Sequence, residues 1–302
     1  MSEFDLIARY FSGFDRDAEI GVGDDAAVVA IPDNKRVVVA TDTTIEGVHF
    51  PKDTPPDAVG FRALAVNLSD LAAMGATPQW FTLALTIPNE DAAWLRAFSD
   101  SLLGLANRFG VGLIGGDTTR GPLSITITVF GVADEVIVRS GASPGDTVWL
   151  GGRPGDAAAG LACWARRNES DDDIRYLVDR FLFPEPQIAL GQALVGRASA
   201  AIDISDGLVA DLGHICHASG CGAKIQLDQL PLSDALQGVV GEVGARSLAL
   251  SGGDDYVLLF TAAPTLAFES CFAIGEMTTR AGVALFDRDT PYELEHKGYA
   301  HF

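Results

Sequence analysis

The sequence predicts an α/β protein of two domains, on three observations. Short β-branched or apolar runs that read as strands alternate with longer stretches whose apolar residues recur at helical spacing. The chain has 302 residues, 48% of them hydrophobic, which is enough for two cores or one large one. A turn-rich segment, Arg139-Ser-Gly-Ala-Ser-Pro-Gly-Asp146, falls near the middle and marks the join, giving expected domains of 1–138 and 139–302.

Taken in order, residues 2–11 place Phe4, Ile7, Ala8 and Phe11 on one face of a short helix, with Ser2 as its cap. Gly21-Val-Gly-Asp-Asp25 opens an apolar strand, and Arg36 to Thr44 is a β-branched run ending in Thr41-Asp42-Thr43. Residues 57–76 repeat Phe61, Leu64, Leu68 and Leu71 as a helix stopped by Gly75, with Asn67 and Asp70 three apart on one face. Trp80 to Ile87 is a strand, and a helix runs from near Asn89 to Phe109. Val111 to Ile114 reads as a buried strand that stops at Gly115-Gly116, before Asp117, Thr118, Thr119 and Arg120. Two readings of that stretch stand: a ligand loop, or a polar hairpin whose returning strand is Leu123 to Phe130. In the second half, a strand at Asp146–Gly151 leads through Gly-Arg-Pro-Gly into a helix, without the Gly-Lys-Ser/Thr of a Walker A loop. Ala200 to Ser205 ends a strand at Asp203, Ser205 and Asp206, and Gly207 precedes a helix carrying Asp211 and His214. Ser251-Gly-Gly-Asp-Asp-Tyr256 again joins glycines to acids ahead of a strand.

A net charge of −20 speaks against nucleic-acid and anionic-membrane partners, whose phosphates such a chain repels. No apolar run reaches the roughly 18–20 residues of a membrane span, and Met1 to Asp5 lacks the basic and apolar regions of a secretory leader. The four scattered cysteines fit a reduced, cytoplasmic setting. His214, Cys216, His217 and Cys221 have no second ligand pair at zinc spacing and are expected to pack a helix end.

Asp25, Asp42, Asp70, Asp117, Asp203 and Asp206 thus sit at strand ends or on an apolar helix face, where they would repel one another without cations between them. Oxygen donors beside glycines favour Mg²⁺, which completes its shell with water and nucleotide phosphates. Phosphoryl transfer to or from a nucleotide is the expected chemistry. No activated nucleophile is evident, and a phosphomonoester acceptor requires none.

The ordered set Gly21-Val-Gly-Asp-Asp25, Thr41-Asp-Thr43, Asn67 to Gly75, Ile114 to Thr119, Arg139-Ser-Gly-Ala142, Ile202 to Leu208 and Ser251 to Tyr256 resembles the bacterial thiamine-monophosphate kinases. These group with the aminoimidazole ribonucleotide and selenophosphate synthetases. The resemblance implies ATP-dependent phosphorylation of thiamine monophosphate to thiamine diphosphate with several Mg²⁺ ions. It also implies a homodimer paired through a mixed N-terminal sheet, with a nucleotide- and Mg²⁺-binding domain followed by an α/β domain that completes the site. By motif match, Asp25, Thr41, Asp42, Asp70, Asp117, Asp203 and Asp206 are the metal ligands, with Asp25, Asp117 and Asp206 catalytic. Thr41, Gly116, Asp117, Arg139 and Ser205 fall on ATP contacts, and His49, Asp254 and Tyr299 on thiamine phosphate contacts. Asp254 and Val257 replace two glutamates of the family pattern, and Asp134-Glu135 stands where a basic residue is usual. Another ATP-using enzyme of the superfamily and a non-catalytic nucleotide or cation binder are the alternatives; the first cysteine, Cys163, lies too far along the chain for a selenophosphate synthetase.

Overall fold

Alternating burial along the strands of the first half builds a mixed four-stranded sheet backed by long helices. The computed structural model describes residues 3–14, 16–22, 25–294 and 298. Two units result, Met1–Leu71 with Ala76–Asp134 and Ala72–Gly75 with Glu135–Phe302.

The first unit runs α1 (Glu3–Tyr10), β1 (Ala18–Ile20), β2 (Val28–Val29), β3 (Arg36–Ile45), α2 (Pro56–Ala73), β4 (Thr77–Ile87), α3 (Ala92–Phe109), β5 (Gly112–Arg120) and β6 (Ser124–Ala133). Its main sheet has the order β3-β6-β4-β5, with β4 and β5 parallel and the other neighbours antiparallel. A parallel pair needs a crossover, and α3 supplies it. Asp91 caps that helix by accepting from the N–H groups of Ala93 and Trp94, and Gly110 ends it at φ 69°. The helix therefore starts at Ala92 rather than near Asn89. In α1 the buried residues are Leu6 and Tyr10, and Ala8 is exposed. Phe11, just past the helix, is buried and Ile7 half-buried as expected. The buried face thus keeps these two, gives up Ala8 and takes in Leu6 and Tyr10, because burying a tyrosine ring removes far more apolar area than burying a methyl.

Two strand-end expectations fail here. Asp42 lies within β3, opposite Ile127, because pairing with β6 continues to Ile45. β5 likewise passes through Gly115-Gly116 and Asp117 to Arg120. The hairpin reading falls too, since β4 separates β5 from β6.

The second unit comprises β7 (Thr147–Leu150), α4 (Asp156–Ala162), α5 (Asp172–Leu182), α6 (Ile188–Leu194), β8 (Ala198–Asp203), α7 (Leu208–Ser219), β9 (Gly222–Gln226), α8 (Asp234–Ser251), β10 (Leu258–Ala262), β11 (Phe272–Thr278), β12 (Gly282–Asp287) and β13 (Thr290–Tyr292). Its seven-stranded sheet runs β13-β12-β9-β11-β7-β10-β8, with β12 and β9 parallel. Val148, Leu150, Ile202, Leu212, Ile225 and Leu259 belong to its core. Pairing of β8 with β10 sets Asp203 opposite Leu258, so the Ile202–Leu208 and Ser251–Tyr256 motifs meet at one end of the sheet.

Candidate active site

In the first unit the expected residues form two groups. A cleft of about 650 Å³ is lined by Asp25, Gly116 and Asp117, with Phe11 and Leu113 among its apolar walls. Gly116 has φ 151°, and a Cβ there would stand 1.8 Å from the Leu83 carbonyl oxygen, so only glycine lets β5 lie this close to β4. The register sets Asp117 beside Ala84 and Thr126, on the same face as Thr43. Thr41 shares that outward face, and its hydroxyl lies 2.9 Å from that of Thr128.

Asp42 points to the opposite face, towards α2, where Asn67 accepts its backbone N–H at 3.0 Å. Asp70 is three residues further along that helix face. Burial alone raises the Asp42 carboxyl above the ordinary carboxylate range. His49 closes the turn after β3, its Nδ1 accepting the Ile45 N–H at 3.0 Å, which leaves the ring proton of the neutral imidazole on Nε2.

The second unit builds its site from two interlocked loops. Asp254 and Tyr256 donate their N–H groups to the carbonyls of Ser205 and Ile204 at 2.9 and 2.8 Å. Gly253 is pressed so closely that a Cβ would lie 2.2 Å from the Ser205 oxygen. Asp254 and Tyr256 have φ of 71° and 53°, left-handed backbone that bulky residues rarely adopt. Asp203, Ser205, Asp206 and Asp254 are thereby presented together, while Arg139 is exposed on its own loop. The strand does not persist to Ser205; β8 ends at Asp203. Tyr299 lies outside the described residues. Its neighbour Gly298 approaches Asp206 so closely that a Cβ would lie 2.7 Å from that residue's carbonyl oxygen.

Three residues not singled out by the sequence hold these loops. Asp211 Oδ2 accepts the N–H groups of Ser205, Asp206 and Gly207, each at 3.1 Å. Burial pushes its pKa up to about 7, with the charges of Asp203 and Asp206 adding to the rise and bonds from the Asp206 and Gly207 amides opposing it. Asp255 turns away from Asp254 and accepts from Gly155 and Ala157 at 2.6 and 3.1 Å, so a carboxylate of the chain itself occupies the phosphate-like loop before α4. Gln187 accepts the Leu258 N–H and donates to the Gly151 carbonyl, both at 2.8 Å. An acid in the first turn of a helix after a glycine was the available signal for Asp211. Nothing local distinguished Asp255 from Asp254.

Among the described residues, no three His, Cys, Asp or Glu side chains gather into a metal-ion site. The donors that the motifs supply are nonetheless all oxygens, and a cation would relieve the burial cost at Asp42. Cys216 and Cys221 are buried at the end of α7, whereas His214 and His217 are exposed, as packing rather than zinc binding requires.

Residues 23–133 match the family described as AIR synthase related protein, N-terminal domain, and residues 143–287 match its C-terminal domain. Over 319 aligned residues the chain is 49% identical to the thiamine-monophosphate kinase of Salmonella typhimurium, covering 99% of this chain and 98% of that one. The chain belongs to the thiamine-monophosphate kinase family. A solved member from Stenotrophomonas maltophilia superposes with a TM-score of 0.85 at 42% identity, over 93% of this chain and 94% of that one. A second structure, AaThiL complexed with AMPPCP and TMP, gives 0.84 at 31% identity, over 99% of this chain and 96% of that one. As a member of this family the chain is a kinase built from two AIR synthase-related domains, in agreement with a sequence resemblance that runs from Phe4 to Phe302.

Proposed function

We propose that the chain transfers the γ-phosphoryl group of ATP directly to thiamine monophosphate, giving thiamine diphosphate and ADP. The observation that carries this reading is the interlock of the Asp203–Gly207 and Gly253–Tyr256 loops, which presents acids, a hydroxyl and bare backbone together in a chain 49% identical to a thiamine-monophosphate kinase. The binding of AMPPCP and TMP by a relative of the same fold supports a two-substrate site.

A terminal oxygen of the acceptor phosphate attacks the γ-phosphorus. The bond from that phosphorus to the β–γ bridging oxygen breaks, and ADP leaves with the electron pair. With a second pKa near ~6 the acceptor is largely dianionic at neutral pH, so no side chain has to remove a proton. The protein's part is alignment and neutralisation of charge. Arg139 offers a planar fork to a nucleotide phosphate, while Thr41, Gly116, Asp117 and Ser205 complete the ATP contacts. His49, Asp254 and Tyr299 receive the thiamine phosphate. Asp25, Thr41, Asp42, Asp70, Asp117, Asp203 and Asp206 would hold Mg²⁺, with Asp25, Asp117 and Asp206 nearest the chemistry. When bound, the ions neutralise charge on the polyphosphate.

In this reading residues 1–138 bind nucleotide and Mg²⁺ and form the dimer, and residues 139–302 complete the site. The homodimer is supported by the outward face of β3, which leaves Val37 and Val39 exposed. A cytoplasmic setting is supported by four free cysteines, and among the described residues no helix is long and apolar enough to cross a membrane.

The test is to incubate the protein with ATP, Mg²⁺ and thiamine monophosphate, and to follow ADP and thiamine diphosphate together, with free thiamine as control acceptor. Equal formation of both products, dependent on the monophosphate and Mg²⁺, is expected. ADP without thiamine diphosphate would transfer the assignment to another ATP-using activity of the superfamily, and nucleotide binding without either product would leave a non-catalytic binder.

A further inference from the structure

Arg139 is the one cationic side chain assigned to the nucleotide, and it sits on an exposed loop. Ser219 Oγ, at the last residue of α7, accepts the N–H groups of Gly141 and Ala142 at 3.2 Å each and donates to the Arg139 carbonyl at 3.3 Å. The Cys221 thiol donates to the Ala142 carbonyl at 3.8 Å. From the other side Gly141, at φ 133°, lies so near β8 that a Cβ would stand 2.4 Å from the Ser199 carbonyl oxygen. The loop is thus held between a strand and a helix end.

The same helix holds the other site loop. Asp211 in its first turn fixes the Ser205–Gly207 amides, and Ser219 in its last turn fixes Arg139–Ala142. Eight residues separate Asp211 from Ser219, and at the ~1.5 Å rise of an α-helix this sets the two clamps about 12 Å apart on one stiff rod. Gly220 at φ 66° and the bond from the Cys221 N–H to the Cys216 carbonyl close the helix in a Schellman turn, which keeps Ser219 from fraying.

We propose that Ser219 is a positioning residue for ATP: it sets the backbone of the Arg139 loop, and through it the aim of the guanidinium at the nucleotide phosphates. This rests on the kinase reading for the reaction, but not for nucleotide binding.

Ser219→Ala and Ser219→Thr test it in the full-length protein, alone and in an Arg139→Ala background. The readouts are kcat, KM for ATP and for thiamine monophosphate, the Kd of AMPPCP by calorimetry with and without Mg²⁺, and the thermal midpoint. Ser219→Ala is expected to raise KM for ATP and the AMPPCP Kd about five- to tenfold, with KM for thiamine monophosphate and the midpoint little changed. Ser219→Thr, which keeps the hydroxyl, should restore the Kd to within about twofold, and the alanine change should add almost nothing once Arg139 is gone. An unchanged Kd, a threonine variant as weak as alanine, or an undiminished effect without Arg139 would overturn the proposal. A lowered midpoint with both KM values rising together would reduce Ser219 to a structural role. If the wild type binds AMPPCP but forms no thiamine diphosphate, the kinase reading fails while the Kd series still decides on Ser219. If it binds no AMPPCP, both fail.

Discussion

Asp254 and Asp255 are adjacent and have opposite tasks. The left-handed backbone at Asp254 is a conformation that aspartate tolerates better than most residues with a Cβ. Asp254→Glu is expected to lengthen the reach to thiamine phosphate and lower its KM, at a stability cost of up to about 1 kcal/mol. A tenfold higher KM would show a pocket adapted to aspartate. Asp255 is buried against the amides of Gly155 and Ala157, and burial, with Asp156 nearby, pushes its pKa up to about 7; the two amide bonds and Arg180 oppose the rise. Between the ordinary value of 3.8 and about 7 the folded chain therefore binds more protons than the unfolded one. Stability from this group is fully present below the lower value and is lost as pH rises through the upper one. In metal-free buffer the thermal midpoint should be higher at mildly acidic than at mildly alkaline pH. Asp255→Asn should flatten that slope and cost about 1–3 kcal/mol through loss of one amide bond. Wild-type slope in the variant would mean that Asp156 and Asp211, raised in the same sense, carry all of it. At the acids assigned to metal, Asp117→Asn and Asp206→Asn remove charge without changing shape. Turnover should fall by about a hundredfold or more with the midpoint little changed. Wild-type kcat in either variant would remove that residue from the site.

At the scale of elements, the helices and most strands could be read because their periodicity is local, and so could the motif acids, because each stands beside glycine or hydroxyl residues. What could not be read was where the strands stop. The sheet ladder is non-local, and pairing with β4 and β6 carries β5 and β3 past the glycines and hydroxyls that looked like ends. For that reason Asp42 and Asp117, alike in sequence context, occupy opposite sheet faces. The clamps on the loops, Asp211, Gln187 and Ser219, were missed because their partners are backbone amides and carbonyls, which leave no pattern in side-chain order. The space around each glycine separates positions that tolerate a side chain from those that do not. Gly253→Ala drives a Cβ into the Ser205 carbonyl and should cost more than about 2 kcal/mol together with activity. Gly213, inside α7, has open space where its Cβ would go. Gly213→Ala should therefore stabilise by about 0.5–1 kcal/mol with activity retained. Denaturant midpoints with unchanged m-values would check both, and destabilisation by Gly213→Ala would mean that α7 needs to flex.

At the scale of the whole molecule, the outward face of the first sheet leaves apolar side chains in need of a cover. Alternation along β3 buries Thr44 and leaves Val37 and Val39 at 41% and 54% exposure, with Ile45 beyond them. Thr41 and Thr43 are paired to Thr128 and Thr126 between those apolar residues, so the β3 edge of the face is uncharged from Val37 to Ile45 and made of branched side chains, with Asp117 further across the sheet. Such an uncharged edge is unexpected on a chain of net charge −20 that could have placed acids along β3 for solubility. In the proposed homodimer a second copy would supply a matching surface by two-fold symmetry, and the face would become the core of an interface. Val39→Glu places one carboxylate per chain at that face, and in a dimer both would be desolvated beside each other, which costs several kcal/mol. Wild-type protein should sediment at twice the chain mass and the variant as a single chain with the same circular dichroism. Because Thr41 belongs to this face and to the proposed nucleotide contacts, the monomeric variant should also lose ATP affinity. A monomeric wild type with full activity would leave the apolar face without this partner and would place the whole site within one chain.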